Sequence, residues 1–401
     1  MVYEALSNRT SATLFRRPGS RSCAWVLLLL LSLACSATAE STWHTEVVDN
    51  GSGVDVGKSA SLAIDSQGNT HIAYYNNTAL NMWYAFRPAG DARWFKMEVP
   101  GSEGAYPYIS LAADSQGRPH LAFITSGKGL MYAHWDGKMW SAMQIDDIRA
   151  AYYTSIAVDA ADHPHISYYR EYTGSYRTPA NQTQYIENLK YAFFDGKQWY
   201  VETIDRRFGT GKYNSMFVDG KGNAYIAYTH IGWWTLLYAS GHGTDWHLSM
   251  VDMGKRYGHF VGQGNSIALD SSGNPHIAYF DTSASTVRYA SLQGGKWKLE
   301  IVAQMLGRTM LDHLSLKIDS NNRAHIAFYD SGTGSLKYAV QAGDKWQVET
   351  VDTGNTGMSP SLYLDSQNQP SIAYYDVAEH SLKLAQLRSG NSSSVTATTS
   401  K

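Results

Sequence analysis

The sequence predicts an all-β protein, a seven-bladed β-propeller made of four-stranded blades. Three observations predict this fold. A unit of about 45 to 60 residues recurs seven times, each unit contains four short strand patterns, and the two chain ends supply complementary parts of one unit. Repeats of this length with several strands each are typical of propellers and not of helical solenoids.

The first strand of each unit begins with a serine and ends in a turn with a repeated aspartate. The first copy reads S-L-A-I-D-S-Q-G-N from Ser61. Gly or Asn can take a positive φ in this turn, and Asp can bond its own backbone, so the chain reverses tightly. The repeated aspartates are Asp65, Asp114, Asp159, Asp219, Asp270, Asp319 and Asp365.

The other three strands of the unit have their own patterns. The second resembles H-I-A-Y-Y, the third resembles L-K-Y-A, and the fourth begins with a tryptophan and then alternates polar and apolar residues. Aromatic and β-branched residues in these short runs favour strands. The fourth-strand tryptophans are Trp43, Trp94, Trp140, Trp199, Trp246, Trp297 and Trp346.

The chain ends indicate how the ring closes. Trp43 belongs to a fourth strand that precedes any complete unit, whereas the last unit stops after its third strand near Leu387. We therefore expect the N-terminal strand to complete the last blade. Closure in this way removes the exposed sheet edges that an open array would leave.

Five units carry a histidine at the same place in the second strand. One histidine per blade spreads these rings around the propeller, so they cannot converge on one metal ion. We expect each to bond the turn aspartate of its own blade, and we predict no metal site and no cofactor. These histidines are His71, His120, His165, His276 and His325.

Composition limits the classes of partner. The formal net charge is −2 and charged residues make up 17% of the 401 residues. A nucleic-acid-binding surface would normally require a strong basic excess, so we predict no nucleic-acid partner. Both cysteines, Cys23 and Cys35, precede the repeats, so the predicted propeller contains no disulfide.

Residues 1–39 have the pattern of a secretory signal. Arginines precede an apolar run of about eight residues, and Ala37-Thr38-Ala39 offers a cleavage site. We expect a secreted or periplasmic protein that starts near Glu40 and has no membrane span after signal removal. Lipoprotein anchoring at Cys35 is the alternative. The propeller is predicted over 41–388 as a monomer, followed by a disordered tail at 389–401.

Function is expected where the repeat breaks. The loops from fourth to first strands and from second to third strands share one face, which we call the loop face. This face is rich in Tyr, Arg, His and Trp that are not repeated. Aromatic rings stack on sugars, and Arg binds carboxylate or sulfate groups. The predicted ligand-binding residues are Arg170, Tyr106, Tyr108, Tyr213, Trp233, Trp234, Arg256 and His259.

The units, with the pattern S-x-x-x-D-x-x-G-N-x-H-I-A-Y-Y-D, resemble repeats of secreted bacterial seven-bladed propellers, loosely akin to BNR-type repeat proteins. The turn at Asp65 lacks the spacing of the sialidase Asp-box, S-x-D-x-G-x-T-W, so no sialidase site is carried over. Some BNR-related propellers are polysaccharide lyases that use His, Tyr and Arg on this face. The resemblance implies such parts for His230, His259, His313, Tyr152, Tyr153, Tyr213 and Arg170.

Two functions follow from these observations. The first is a non-catalytic binding module that recognises an extracellular glycan or an acidic protein partner on the loop face. The second is a lyase that acts on a uronate-containing glycan, with Arg neutralising the carboxylate and Tyr or His exchanging protons. Whether the protein is an enzyme is left open by the sequence. The candidate catalytic residues are His230, His313, Tyr152 and Tyr153.

Overall fold

The computed structural model describes residues 42–147, 151–171, 175–177, 181, 183–185, 187–254, 259–307 and 313–388. The predicted signal segment, the predicted tail and Arg256 lie outside the described residues. In the described part of the chain the regular elements are β-strands, and no helix there is long and apolar enough to cross a membrane.

The strands follow the repeated patterns of the sequence. In chain order they are β1 (Thr42–Asp49), β2 (Val56–Ile64), β3 (Thr70–Asn76), β4 (Asn81–Arg87), β5 (Phe95–Glu98), β6 (Ala105–Ala113), β7 (Pro119–Thr125), β8 (Gly129–Trp135), β9 (Trp140–Asp146), β10 (Ala151–Val158), β11 (Pro164–Arg170), β12 (Ser175–Arg177), β13 (Thr183–Tyr185), β14 (Asn188–Phe194) and β15 (Trp199–Asp205). They continue with β16 (Thr210–Val218), β17 (Ala224–His230), β18 (Thr235–His242), β19 (Asp245–Asp252), β20 (Val261–Leu269), β21 (Pro275–Asp281), β22 (Thr286–Gln293), β23 (Lys296–Gln304), β24 (Ser315–Ile318), β25 (Ala324–Asp330), β26 (Ser335–Ala342), β27 (Lys345–Asp352), β28 (Thr356–Leu364), β29 (Pro370–Asp376) and β30 (Ser381–Arg388).

These strands form seven four-stranded antiparallel sheets, so the predicted seven-bladed propeller is confirmed. Blades I and II are β2–β5 and β6–β9, and blade III is β10, β11, β14 and β15. Blades IV, V and VI are β16–β19, β20–β23 and β24–β27. The extra pair β12–β13 lies in the insertion of blade III. The first strand of each blade packs against the first strand of the next, which places these strands around the central axis.

Blade VII closes the ring with both chain ends. Its strand order is β28, β29, β30 and β1, so the N-terminal strand supplies the fourth strand, as predicted. The antiparallel register runs from Thr42 opposite Arg388 to Asp49 opposite Leu382. Backbone pairing therefore closes the ring where many small extracellular domains use a disulfide.

The repeated serines join the innermost strands of neighbouring blades. Each serine Oγ accepts a hydrogen bond of 2.9–3.2 Å from a backbone N–H of the next innermost strand. One of these bonds joins blades VII and I, so hydrogen bonds link the innermost strands around the whole ring. The pairs are Ser61–Leu111, Ser110–Ile156, Ser155–Met216, Ser215–Ile267, Ser266–Leu316, Ser315–Leu362 and Ser361–Leu62.

The repeated tryptophans join the outer strands. At six blade junctions the tryptophan meets a third-strand tyrosine of the preceding blade edge to face, with ring centroids 5.0–5.4 Å apart. Aromatic pairs favour this geometry. At the junction of blades VII and I the tyrosine is replaced by Leu384, and Trp94 instead lies 4.4 Å from the Arg87 guanidinium.

The repeated histidines are structural, as the sequence predicted. His71 is buried, with Nδ1 2.6 Å from the Tyr84 hydroxyl and Nε2 3.2 Å from the turn carboxylate of Asp65. The same Asp–His–Tyr chain recurs in blades II, III and VI. In blade V, His276 bonds the Tyr289 hydroxyl, and its Nε2 atom lies 3.4 Å from the Asp270 carboxylate without a hydrogen bond. The Asp–His–Tyr chain fixes the turn between the first two strands to the third strand of the same blade.

These histidines predict acid sensitivity. Burial lowers the pKa of all five below the usual value. The unfolded chain therefore binds more protons than the folded one once the pH falls below about 6.5, and the free energy of unfolding should decrease from there. Denaturant unfolding between about pH 7.5 and 5.5 measures this decrease. The variant His325→Ser copies the serine that blade VII carries at Ser371.

The variant should be less stable at neutral pH because it removes the bond to Tyr338, yet its stability should depend less on pH than that of the parent protein. An equal dependence in both proteins would contradict the assignment of the acid sensitivity to these rings.

Candidate functional site

β-Bulges shape the ends of the innermost strands that lead into the loop face. In blades I to V and VII the ladder to the second strand shifts register just before the repeated serine. Ser59, Tyr153 and Tyr213 there have positive φ values of 51°, 57° and 52°. Residues with a Cβ adopt this conformation at a cost of about 1–3 kcal/mol, and such strain is concentrated at functional sites. This end of the ring is therefore the first candidate.

A polar cavity of about 150 Å³ lies on the propeller axis at this end. All seven repeated serines line it, which shows that it is central. The bulges add Ser59, Tyr153 and Ser359 to its wall, which also contains Tyr108 of blade II and His313 next to blade VI. The cavity therefore combines a ring of hydroxyl groups with the aromatic side chains of Tyr108, Tyr153 and His313.

The aromatic side of the cavity continues into a group of six tyrosines, which we call the tyrosine cluster. Tyr153 is its centre, because its ring centroid lies 4.6 Å from that of Tyr108, 4.7 Å from that of Tyr213 and 6.0 Å from that of His313. The ring centroid of Tyr152 lies 5.5 Å from that of Tyr106 and 5.5 Å from that of Tyr108. The cluster consists of Tyr106, Tyr108, Tyr152, Tyr153, Tyr169 and Tyr213.

The hydroxyls of Tyr108, Tyr153 and Tyr213 remain protonated at neutral pH. Burial raises the pKa of Tyr153 above its ordinary value, and the neighbouring tyrosines Tyr213 and Tyr108 raise it further. Burial also raises the pKa of Tyr108 and of Tyr213. A phenol in this state donates and accepts hydrogen bonds but is a poor base. The chemistry of the cluster therefore suits recognition of hydroxyl groups.

Charged groups of both signs surround Tyr169, at the edge of the cluster. The Lys212 ammonium lies 5.2 Å from the centre of the Tyr169 ring. Glu187 is 9% exposed, and burial raises the pKa of its carboxyl, while Tyr169 and Lys212 oppose this shift. Glu171 adds to the rise in the pKa of Tyr152 that burial causes. The cluster is thus not a purely basic surface.

Sequence reasoning missed Tyr169 and Glu187 as site residues. Tyr169 occupies a position at the end of the second strand where Tyr75 and Tyr375 also stand, so it resembled a packing residue. Glu187 ends the blade III insertion and belongs to no motif. Only its burial beside Tyr169 indicates a role at the site.

His230 and Trp233 form a separate pair in blade IV. Their rings stack with centroids 4.3 Å apart, and His230 Nδ1 accepts a hydrogen bond from the Trp233 backbone N–H. His230 is buried, and burial lowers the pKa of its imidazole. Among the described residues no ring contact connects this pair to the tyrosine cluster. Within the ranges that the structure describes, His230 therefore makes no ring contact with the other three candidate catalytic residues.

Trp234 and His259 belong to a third group, where blade IV meets blade V. Trp234 contacts Phe260 edge to face at 4.9 Å, and His259 Nε2 lies 2.9 Å from the Asp281 carboxylate. Arg170 lies at the end of β11, opposite Asn188. The predicted residues are thus divided. Five predicted tyrosines and His313 share one site, whereas His230, Trp233, Trp234 and His259 lie in other groups.

Comparison with known proteins places the chain by fold alone. No protein-family model matches the sequence, and no curated protein matches it. The polysaccharide lyase Uly1 superposes with a TM-score of 0.53 at 8% identity, over 82% of this chain and 89% of that chain. A mutant of AofleA from Arthrobotrys oligospora gives 0.50 at 10% identity, over 78% and 91%. A protein of unknown function from Dyadobacter fermentans gives 0.50 at 10% identity, over 86% and 98%.

Two asparagines in the cavity wall differ in the contact that their side-chain oxygen makes. Asn214 and Asn265 donate in the same way to the backbone oxygens of Gly211 and Gly262. The Oδ1 atom of Asn214 also accepts a 2.6 Å hydrogen bond from Ser167. Asn265 Oδ1 is buried and has no partner within the described residues, because blade IV has an alanine where blade III has this serine.

A hydrogen-bond donor for Asn265 Oδ1 should stabilise the protein. Ala227→Ser places a hydroxyl where Asn265 can accept from it, and we expect a gain of about 1 kcal/mol in the free energy of unfolding. The matched variant Ser167→Ala should lose about 1–3 kcal/mol because it leaves Asn214 Oδ1 unsatisfied. Denaturant unfolding measures both changes. A loss of stability in Ala227→Ser would contradict the equivalence of the two positions.

Proposed function

We propose that the protein is a non-catalytic glycan-binding propeller whose binding site is the tyrosine cluster at the mouth of the axial cavity. One observation carries the proposal. The bulged innermost strands of three blades, far apart in sequence, bring Tyr108 and Tyr213 into contact with Tyr153, beside His313. A ring fold held together by other residues has no need of this concentration of aromatic side chains at its centre.

The chemistry of the cluster suits sugars. Aromatic faces pack on the C–H faces of pyranose rings, and protonated phenols exchange hydrogen bonds with sugar hydroxyls. The serine hydroxyls of the cavity extend the same polar character toward the axis. A bound sugar can therefore contact a flat aromatic surface and a set of hydroxyl groups at once.

The charges near the cluster favour a neutral or weakly charged glycan over a strongly acidic partner. Lys212 is balanced by the carboxyl of Glu187, and the negative charge of Glu171 acts on Tyr108 and Tyr152. A polyanion would be repelled by these carboxylates. This balance weakens the sequence-based expectation of an acidic ligand.

A polysaccharide lyase is the second candidate. It is favoured by the contact of Tyr153 with His313, since these are two of the predicted catalytic residues. Such an enzyme needs a base for the proton next to the uronate carboxylate. The raised pKa of Tyr153 works against this role, and His230 lies in a separate group. Binding without turnover is therefore the better supported proposal.

We further propose that binding takes place outside the cytoplasm. The proposal rests on the arginines, apolar run and small-residue cleavage site in residues 1–39. An extracellular or periplasmic location would give the loop face access to polysaccharides of cell surfaces.

Binding should depend on the half-buried Tyr152, which contacts two other rings of the cluster. We expect Tyr152→Ala to weaken binding of the recognised glycan by about tenfold, because one stacking surface is lost. Isothermal titration calorimetry against neutral and uronate-containing polysaccharides measures the change. Tyr200→Ala is the matched control, since Tyr200 is an exposed tyrosine on an outer strand.

The same polysaccharides should show no ultraviolet absorbance from unsaturated uronate during incubation with the protein. Rising absorbance that Tyr153→Phe abolishes would establish the lyase instead. Equal weakening by Tyr152→Ala and Tyr200→Ala would contradict the assignment of the binding site to the tyrosine cluster.

A further inference from the structure

Two cavities of one kind lie far from the tyrosine cluster, at the opposite end of the propeller. The first lies between blades I and II and has a volume of about 190 Å³, and the second lies between blades II and III and has a volume of about 280 Å³. The Asp65–Asn69 turn lines the first cavity. Trp135 and Trp140, on either side of the β8–β9 turn, line it as well. These turns belong to the face opposite the loop face.

The two cavities are built from equivalent residues. In the first, Trp135 and Trp140 of blade II stand opposite each other in the β8–β9 ladder. In the second, Phe194 and Trp199 of blade III stand opposite each other in the β14–β15 ladder. The ring centroids are 6.0 Å apart in the first pair and 5.8 Å apart in the second. Each cavity thus has two aromatic rings from the following blade in its wall.

This aromatic pair is a departure from the repeat. Every blade has the tryptophan, because it packs on the preceding blade, but its cross-strand partner varies. The partner is Gly241 in blade IV, Leu292 in blade V, Gln341 in blade VI and Leu387 in blade VII. Packing between blades therefore does not require an aromatic residue at this position. The second ring in blades II and III must have another reason.

The rest of each wall combines apolar and polar side chains, and it includes the repeated histidine of the preceding blade, His71 or His120. A methionine of the preceding blade, Met97 or Met143, lies in each cavity. Asn69 and Gln116 stand at the first cavity, and Arg118 and Asp136 stand at the second. Backbone N–H groups hold the pKa of Asp136 below its ordinary value, so it accepts hydrogen bonds as a carboxylate.

We propose that these two cavities are glycan-binding sites that each hold one pyranose unit, independent of the tyrosine cluster. A pyranose has an apolar C–H face and a rim of hydroxyls, which matches aromatic walls edged by carboxylate and amide groups. The cavity volumes are below those of sites for drug-sized ligands, which are about 300–1,000 Å³, so a single ring is the fitting size. Two equivalent sites on neighbouring blades would bind a branched or repeating glycan with increased avidity.

The test uses the purified protein and simple probes, the methyl glycosides of glucose, galactose, mannose, fucose and xylose. Saturation-transfer NMR identifies a binding pyranoside, and calorimetry gives its affinity and the number of sites. The variants Trp135→Leu and Phe194→Leu remove the second ring of each pair. Leucine is the natural residue at this position in blades V and VII, so the variants should fold, which circular dichroism and the thermal midpoint check.

We expect Trp135→Leu and Phe194→Leu each to remove one site or weaken it by about tenfold, and the double variant to lose both. Leu292→Ala, at the same position of blade V, should leave binding unchanged. The proposal is overturned if no pyranoside binds, if the folded double variant binds as the parent does, or if Leu292→Ala weakens binding equally. Loss of binding only in Tyr152→Ala would also overturn it, while supporting the tyrosine cluster as the glycan site.

Discussion

The hydrogen bond from a backbone N–H to the serine of the preceding blade is the interaction on which the rest of the structure depends. It joins the innermost strands, where seven blades converge and side chains have least room. A serine hydroxyl is small enough to fit there, and it accepts a hydrogen bond from a backbone N–H that has no partner in the sheet ladders. The Ser361–Leu62 bond repeats it across the closure, so strand β1 completes a ring whose centre is already continuous. The outer tryptophan–tyrosine contacts then fix the spacing of the blades at larger radius.

The hydrogen-bonded innermost strands can hold strained backbone conformations at the loop face. Tyr153 and Tyr213 keep a positive φ because the serine bond holds the strand directly after each bulge. The bulges let neighbouring blades bring tyrosine rings together at the axis, where a regular ladder would alternate side chains between its two faces. The tyrosine cluster thus results from bulges that interrupt the repeat, and the repeated serines support these bulges. The opposite face is similar. There the repeated tryptophan packs against the preceding blade, and the residue opposite it in the third strand varies from blade to blade and is available for another role.

The two proposed sites illustrate different ways to place a binding surface on a propeller. At the axis, loops of several blades contribute to one site, so the number of sites is one. Between blades, each junction can form its own cavity, so the number of sites depends on how many junctions carry the necessary side chains. Trp135 and Phe194 supply these at two junctions, whereas Gly241 and Gln341 do not supply them at others.

The sequence by itself determined the fold, the number of blades, the closing strand and the structural role of His71 and its equivalents, because each of these is recorded in local patterns repeated along the chain. It also identified most of the tyrosine cluster, since these tyrosines interrupt the repeat. Only the tertiary structure separated His230 from the cluster and added Glu187, and only it revealed the cavities between blades. The reason is physical: repeats fix each blade locally, whereas distances between loops of different blades depend on bulges and on the ring geometry, which no local pattern encodes.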